Sequence, residues 1–207
     1  MARKIRSFQE SYDILKPYME SYVECVRKAF ADFIQINQFK NTLDVYTEFE
    51  IRTRANIIHD FVCARLAETF GATPEIEVGK WNQVFALKFG ELLFLRNKKF
   101  KKEGSVSNYA TPSHKAFLKQ GVIDGIPDEP TFIIGGYVPN HTYTELKGIY
   151  LGCWSADGLE WFNKVGEYVV EQGRIVFPEF IEESVTKKRT KVKGKAKDDE
   201  QRKTGND

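Results

Sequence analysis

Apolar residues recur at helical spacing over the first third of the chain and at strand spacing over most of the rest. Ser7-Phe8-Gln9-Glu10 has capping-box spacing, in which the hydroxyl accepts an early amide and the glutamate reaches back, so a helix starts there. Pro17 kinks or restarts it, and Val23, Val26, Phe30 and Phe33 carry one apolar face on through about Asn37. A second box, Thr47-Glu48-Phe49-Glu50, opens a helix running to Phe70, with Gly71 at the position where helices commonly stop. Ile51, Ile58, Phe61, Val62, Leu66 and Phe70 form its apolar side.

From Glu75 the pattern becomes extended. Gln83 to Lys88 and Glu91 to Arg96, with Gly90 between them, predict a hairpin. Lys98-Lys99-Phe100-Lys101-Lys102 follows as a cationic loop, and Thr111-Pro112 caps a short helix that Gly121 ends. Thr131 to Val138, Thr144 to Trp154 and Leu159 to Val165 predict three strands of an antiparallel sheet, the last two joined through Ser155-Ala156-Asp157-Gly158. Tyr168 to Phe177 fits a further hairpin or a helix. The fold class is therefore α+β: long N-terminal helices packed on an antiparallel sheet, with one short helix between strands. Residues 1–186 are expected to form one domain and 187–207 a disordered basic tail, because no apolar pattern survives beyond Thr186.

Charge sharpens this division. The tail holds nine cations against four acids, and the rest of the chain 22 against 25, so the net +2 is a basic tail on a mildly acidic body. That balance speaks against general nucleic-acid binding by the body and for salt-sensitive polyanion binding by the tail. Apolar runs such as Leu92–Leu95 fall far short of the roughly 20 residues of a membrane span, and Gln9, Glu10 and Asp13 stand where a signal peptide would be apolar. Cys25, Cys63 and Cys153, three in number and set among apolar neighbours, read as reduced thiols. A soluble cytoplasmic protein is the expectation.

Chemistry-bearing residues concentrate on the second long helix. Arg54-Ala55-Asn56-Ile57-Ile58-His59 resembles the Arg-x4-His motif of the HEPN ribonucleases, which implies an arginine for phosphate charge and a histidine for proton transfer, here Arg54 and His59. A five-residue offset sets the two about 140° apart on a helix, and HEPN domains are all-helical. The structural alternative has Arg52 and Arg54 bonding carboxylates such as Glu50, with His59 capping a sheet edge. His59-Asp60 is similar to the metal dipeptide of the HD phosphohydrolases, but only His114 and His141 remain to complete a ligand set. His59 and Cys63 share a helix face at zinc-ligand spacing without a second close pair. A restriction-endonuclease-like core would need acids within the hairpin, and Val84–Lys88 and Leu92–Arg96 contain none.

Candidate ligand-binding residues are Arg52, Lys99, Lys101 and Tyr137. The lysines stand in the cationic loop with Phe100 and Tyr109 as stacking rings, and Tyr137 follows Gly135-Gly136, where the backbone can admit a phosphate or form a bulge. Trp154, Trp161 and Tyr137 on one sheet face would anchor a partner. Arg52-Thr53-Arg54 with Ile58-His59-Asp60, the lysine-rich stretch, Asn108-Tyr109-Ala110-Thr111-Pro112 and Gly135-Gly136-Tyr137 together resemble a group of small uncharacterised bacterial and phage-associated proteins across about residues 45–165. The resemblance implies a phage or mobile-element setting and brings no activity with it. No cofactor or metal is called for. Two functions follow: an interaction module for a protein partner or an anionic ligand, and, as the alternative, a metal-independent ribonuclease or phosphodiesterase using Arg54 and His59.

Overall fold

The computed structural model describes residues 3–42, 47–101, 104–106, 111–126 and 128–166. The expected hairpin or helix at 168–177, the end of the domain at 186, the tail, Lys102 and Tyr109 lie outside them.

Ser7 caps α1 (Phe8–Leu15) through the reciprocal box: its Oγ accepts the Glu10 amide at 3.2 Å, and its own amide donates to Glu10 Oε2 at 2.8 Å. Pro17 sits in a 3₁₀ turn, Lys16–Tyr18, from which α2 (Met19–Phe39) restarts. The second box does not form. α3 runs Ile51–Phe70 with Glu50 at its N-cap and no side-chain cap bond, and Gly71 closes it at φ −63°, inside the right-handed region. Tyr22, Val26, Ala29 and Phe33 from α2 and Ile58, Val62, Leu66 and Phe70 from α3 are buried, so the two helices form one layer. No helix among the described residues is long and apolar enough to cross a membrane.

Beneath that layer lies a six-stranded sheet in chain order: β1 (Ile76–Trp81), β2 (Val84–Phe89), β3 (Leu93–Lys99), β4 (Thr131–Pro139), β5 (Leu146–Ser155) and β6 (Gly158–Gly166). The hairpin and the three later strands stand where the pattern placed them. All neighbours are antiparallel except β3 and β4, which run parallel from Leu93↔Thr131 to Lys99↔Tyr137. The reversal is supplied by the connection through α4 (Pro112–Leu118), capped by Thr111 as expected. β3 also extends further than the hairpin reading allowed, so Lys98 and Lys99 belong to a strand rather than a loop.

Two cores lie on the two faces of the sheet. Leu93, Leu95, Ile133 and Tyr137 face α2 and α3; Phe94, Phe132 and Ile134 face α4, where Phe117 stacks on Phe132 at 4.6 Å between ring centroids. Gly135 and Gly136 form neither a bulge nor a ligand loop. They pair in register with Asn97 and Lys98, and the irregularity comes later, at Val138/Pro139. Their role is clearance: a Cβ on Gly135 would stand 2.3 Å from the Tyr22 hydroxyl, and one on Gly136 1.7 Å from the Lys98 carbonyl oxygen.

Candidate anion-binding site

The site begins with a fork in the sheet. β2 pairs with β1 out to Trp81↔Val84, and β3 pairs with β4 out to Lys99↔Tyr137, but β2 and β3 pair only through Leu87↔Leu95, Lys88↔Phe94 and Phe89↔Leu93. Beyond Leu87 and Leu95 the two strands separate. Val84–Ala86 on one prong and Arg96–Lys99 on the other have no ladder between them.

Strand alternation places Arg96 and Lys98 on the same face of β3 at the fork, with Cα atoms about 7 Å apart. The Arg96 guanidinium lies 5.8 Å from the centroid of the Phe117 ring. Burial brings Arg96 down to about 10, and burial together with repulsion from Arg96 brings Lys98 down to about 8. Neither side chain has a salt bridge or hydrogen bond among the described residues. Lys88, on the neighbouring strand, shows the usual alternative: it is buried and held by Glu77 at 3.0 Å and Glu91 at 2.7 Å. Arg96 and Lys98 are thus a cationic pair taken partly out of water with no counter-charge among the described residues.

Histidines from two elements sense that pair. His59 on α3 has its proton affinity lowered by burial first and then by Lys98 and Arg96, while Asp60 acts the opposite way. Its Nε2 lies 3.5 Å from Cys63 Sγ, and burial pushes the Cys63 thiol up to about 11, which leaves it protonated and unsuited to nucleophilic attack at neutral pH. His114 on α4 is 5% exposed and lowered to about 4, by burial first and then by Arg96 and Lys98. Among the described residues its Nδ1 has no partner, and neither has Nδ2 of buried Asn97, whose Oδ1 accepts from the Tyr22 hydroxyl at 2.9 Å. Among the described residues no group of three His, Cys, Asp or Glu side chains is placed to hold a metal.

The residues singled out from sequence disperse. Arg54 donates from Nε to the Phe49 carbonyl at 2.6 Å and from Nη1 to the Thr142 carbonyl at 3.3 Å, so it ties the start of α3 to the β4–β5 loop instead of bonding a carboxylate. The charges that act on His59 are Lys98, Asp60 and Arg96, and Arg54 is not among them. Lys99 donates to the Tyr143 hydroxyl at 2.6 Å, on the ring that Arg54 also approaches at 5.7 Å. Arg52 and Lys101 are exposed. Tyr137 is 1% exposed in the helix-facing core and cannot touch a ligand without unfolding.

The proposed aromatic contacts are also taken. Phe100 bridges to Val106 and packs on Phe162 at 5.0 Å, so it is no stacking platform. Trp161 donates to the Arg6 carbonyl at 3.0 Å and packs on Phe8, whereas Trp154 lies by Phe100 on the opposite face; with Tyr137 they do not form one exposed surface. What the sequence reading missed is Arg96 and His114, and that Lys98, counted there in the cationic loop, shares a strand face with Arg96. The signal was there in Leu93-Phe94-Leu95-Arg96-Asn97-Lys98, an apolar strand whose pattern breaks into two cations on one face. No family model matches the chain, no curated protein matches it and no solved structure matches it.

Proposed function

We propose that this chain is an interaction module that binds an anionic ligand at the β2–β3 fork, with Arg96 and Lys98 as the groups that hold it. The observation that supports this is a cationic pair that no described acid compensates: two desolvated charges without an acid between them are a poor way to stabilise a fold and a good way to attract an anion. Charge-assisted hydrogen bonds contribute about 1.5–3 kcal/mol each, so a ligand that engages both cations gains enough to be held selectively over bulk anions.

A titration of ¹⁵N-labelled protein with sulfate, ATP and a short single-stranded RNA tests the site. The expected result is shifts of the amides at 96–98 and around His114, steep weakening with salt, and affinity about 10- to 100-fold lower in Arg96→Met. Removing residues 187–207 leaves these shifts in place. Shifts confined to the tail, or to the exposed Arg52 and Lys101, would overturn the assignment.

A second reading, phosphodiester cleavage, is favoured by one observation: His59 lies in the field of Lys98 and Arg96. These two cations then take the charge-stabilising role first given to Arg54, and His59 acts as general acid or base. Purified protein is expected to cleave RNA in excess EDTA, with His59→Ala at least 100-fold slower. Cleavage that survives the substitution rules this reading out.

A further inference from the structure

We infer that His114 is the third arm of this site and that it binds the ligand as an imidazolium, so that the fork captures a compact oxyanion, a phosphate or sulfate group, together with one proton. The inference rests on the anion-binding reading above and specifies the ligand and the proton that travels with it.

Its foundation is a buried polar atom with nothing to bond. His114 is 95% inaccessible, and its Nδ1 has no partner among the described residues. An orphaned buried nitrogen of this kind costs about 1–3 kcal/mol and calls for an occupant. Its position follows from α4: the His114 amide is fixed by the Thr111 hydroxyl at 3.2 Å, and three residues on, along the same helix face, Phe117 carries the Arg96 guanidinium above its ring. His114 thus shares a helix face with the ring that Arg96 covers and lies in the field of Arg96 and Lys98, with Lys98 two residues along the strand.

The surrounding charges decide what the imidazole does. Those that act on it, Arg96 and Lys98, are both cations, and with burial they keep it neutral. On α4 itself Lys115 and Lys119 point to solvent. From β5, Cys153 stays a thiol, its pKa raised to about 12 chiefly by burial, and from β6 Glu160 is bonded to Ser155. Across the Phe132 ring, Arg3 is paired with Asp128. No described acid is available to charge His114. A bound oxyanion reverses this: it offsets Arg96 and Lys98, offers an acceptor to Nδ1, and favours the imidazolium. Binding then takes up a proton from solvent, and affinity rises as pH falls toward the value of the free histidine.

Sulfate is the probe, because it stays dianionic from pH 5 to 8 and any pH dependence belongs to the protein. Calorimetric titration of the full chain at pH 6 in two buffers of different ionisation enthalpy is expected to show uptake approaching one proton, with affinity falling by up to about tenfold per pH unit between pH 5 and 7. In His114→Asn, with the fold checked by circular dichroism, the uptake and the slope disappear. The imidazole shifts of His114 in the wild-type protein, followed with and without sulfate, give the same answer without a substitution.

Sulfate binding without proton uptake overturns the inference and leaves the anion site standing. Uptake that survives His114→Asn and vanishes in His59→Asn overturns it in favour of the other histidine. Binding of RNA but not of sulfate shows that the ligand is extended rather than compact. Binding of neither removes the anion site itself.

Discussion

Gly136→Ala is expected to destabilise the protein by at least about 3 kcal/mol, a large share of the stability of a marginal domain. The added methyl would stand 1.7 Å from the Lys98 carbonyl oxygen and 3.2 Å from the Phe100 ring. A flexible side chain can swing aside, but the first of these atoms is backbone in the parallel ladder. Relief requires β3 and β4 to part where Lys98 pairs with Gly136. A urea melt of purified protein measures the effect, and a loss under 1 kcal/mol would show that the ladder yields more easily than its register implies. At the neighbouring Gly135 the nearest atom is the Tyr22 hydroxyl, so a Gly135→Ala, Tyr22→Phe pair should recover part of what Gly135→Ala alone loses.

Lys98→Met is expected to act in opposite directions on stability and on binding: a gain of about 1–2 kcal/mol at pH 7 with loss of most anion affinity. The ammonium is half-buried without an acid partner among the described residues, and methionine keeps the length of the stem while removing the charge. The pH dependence identifies the cause. Lys98 sits at about 8 in the folded protein, below the ordinary 10.5. Between those two values the unfolded chain binds more protons than the native one, so wild-type stability rises with pH relative to the variant. The advantage of Lys98→Met is therefore full below about pH 8 and is gone above about pH 10.5. The buried Tyr22 and Tyr137, raised by desolvation, weaken both proteins alike at high pH, so the difference between two melting series is the quantity to read. A variant less stable than wild type at pH 7 would mean that Lys98 has a partner in the folded protein, and the anion site would lose its main support.

Much of the fold was legible because its signals are local. The Ser7 box, the Pro17 restart, the Thr111 cap and the turn at Ser155–Gly158 each need only a few adjacent residues, and each is present. Thr47–Glu50 had the same local signal and failed; there the Phe49 carbonyl is engaged by Arg54 and the helix starts later. The parallel β3–β4 joint was not legible, since strand direction depends on where the intervening chain crosses. For the same reason the cluster at the fork was not legible. Arg54 and His59 are close in sequence yet serve different neighbours, while Arg96, His59 and His114 come from three elements that only the packing of two helices on opposite faces of one sheet brings together.

The parallel joint also divides the labour of folding. β1 to β3 form one meander and β4 to β6 another, each closed by short turns such as Asn82–Gln83 at φ 47° and 65°. Either can zip from neighbouring residues. Uniting them requires closing the whole of Phe100–Pro130, about 2 kcal/mol more loop entropy than a hairpin of three residues. Contacts so distant in sequence form slowly and late. The seam on which the two halves meet runs along the strand that carries Arg96 and Lys98, and His114 stands in the connection that crosses it, so the three come together only when the halves join.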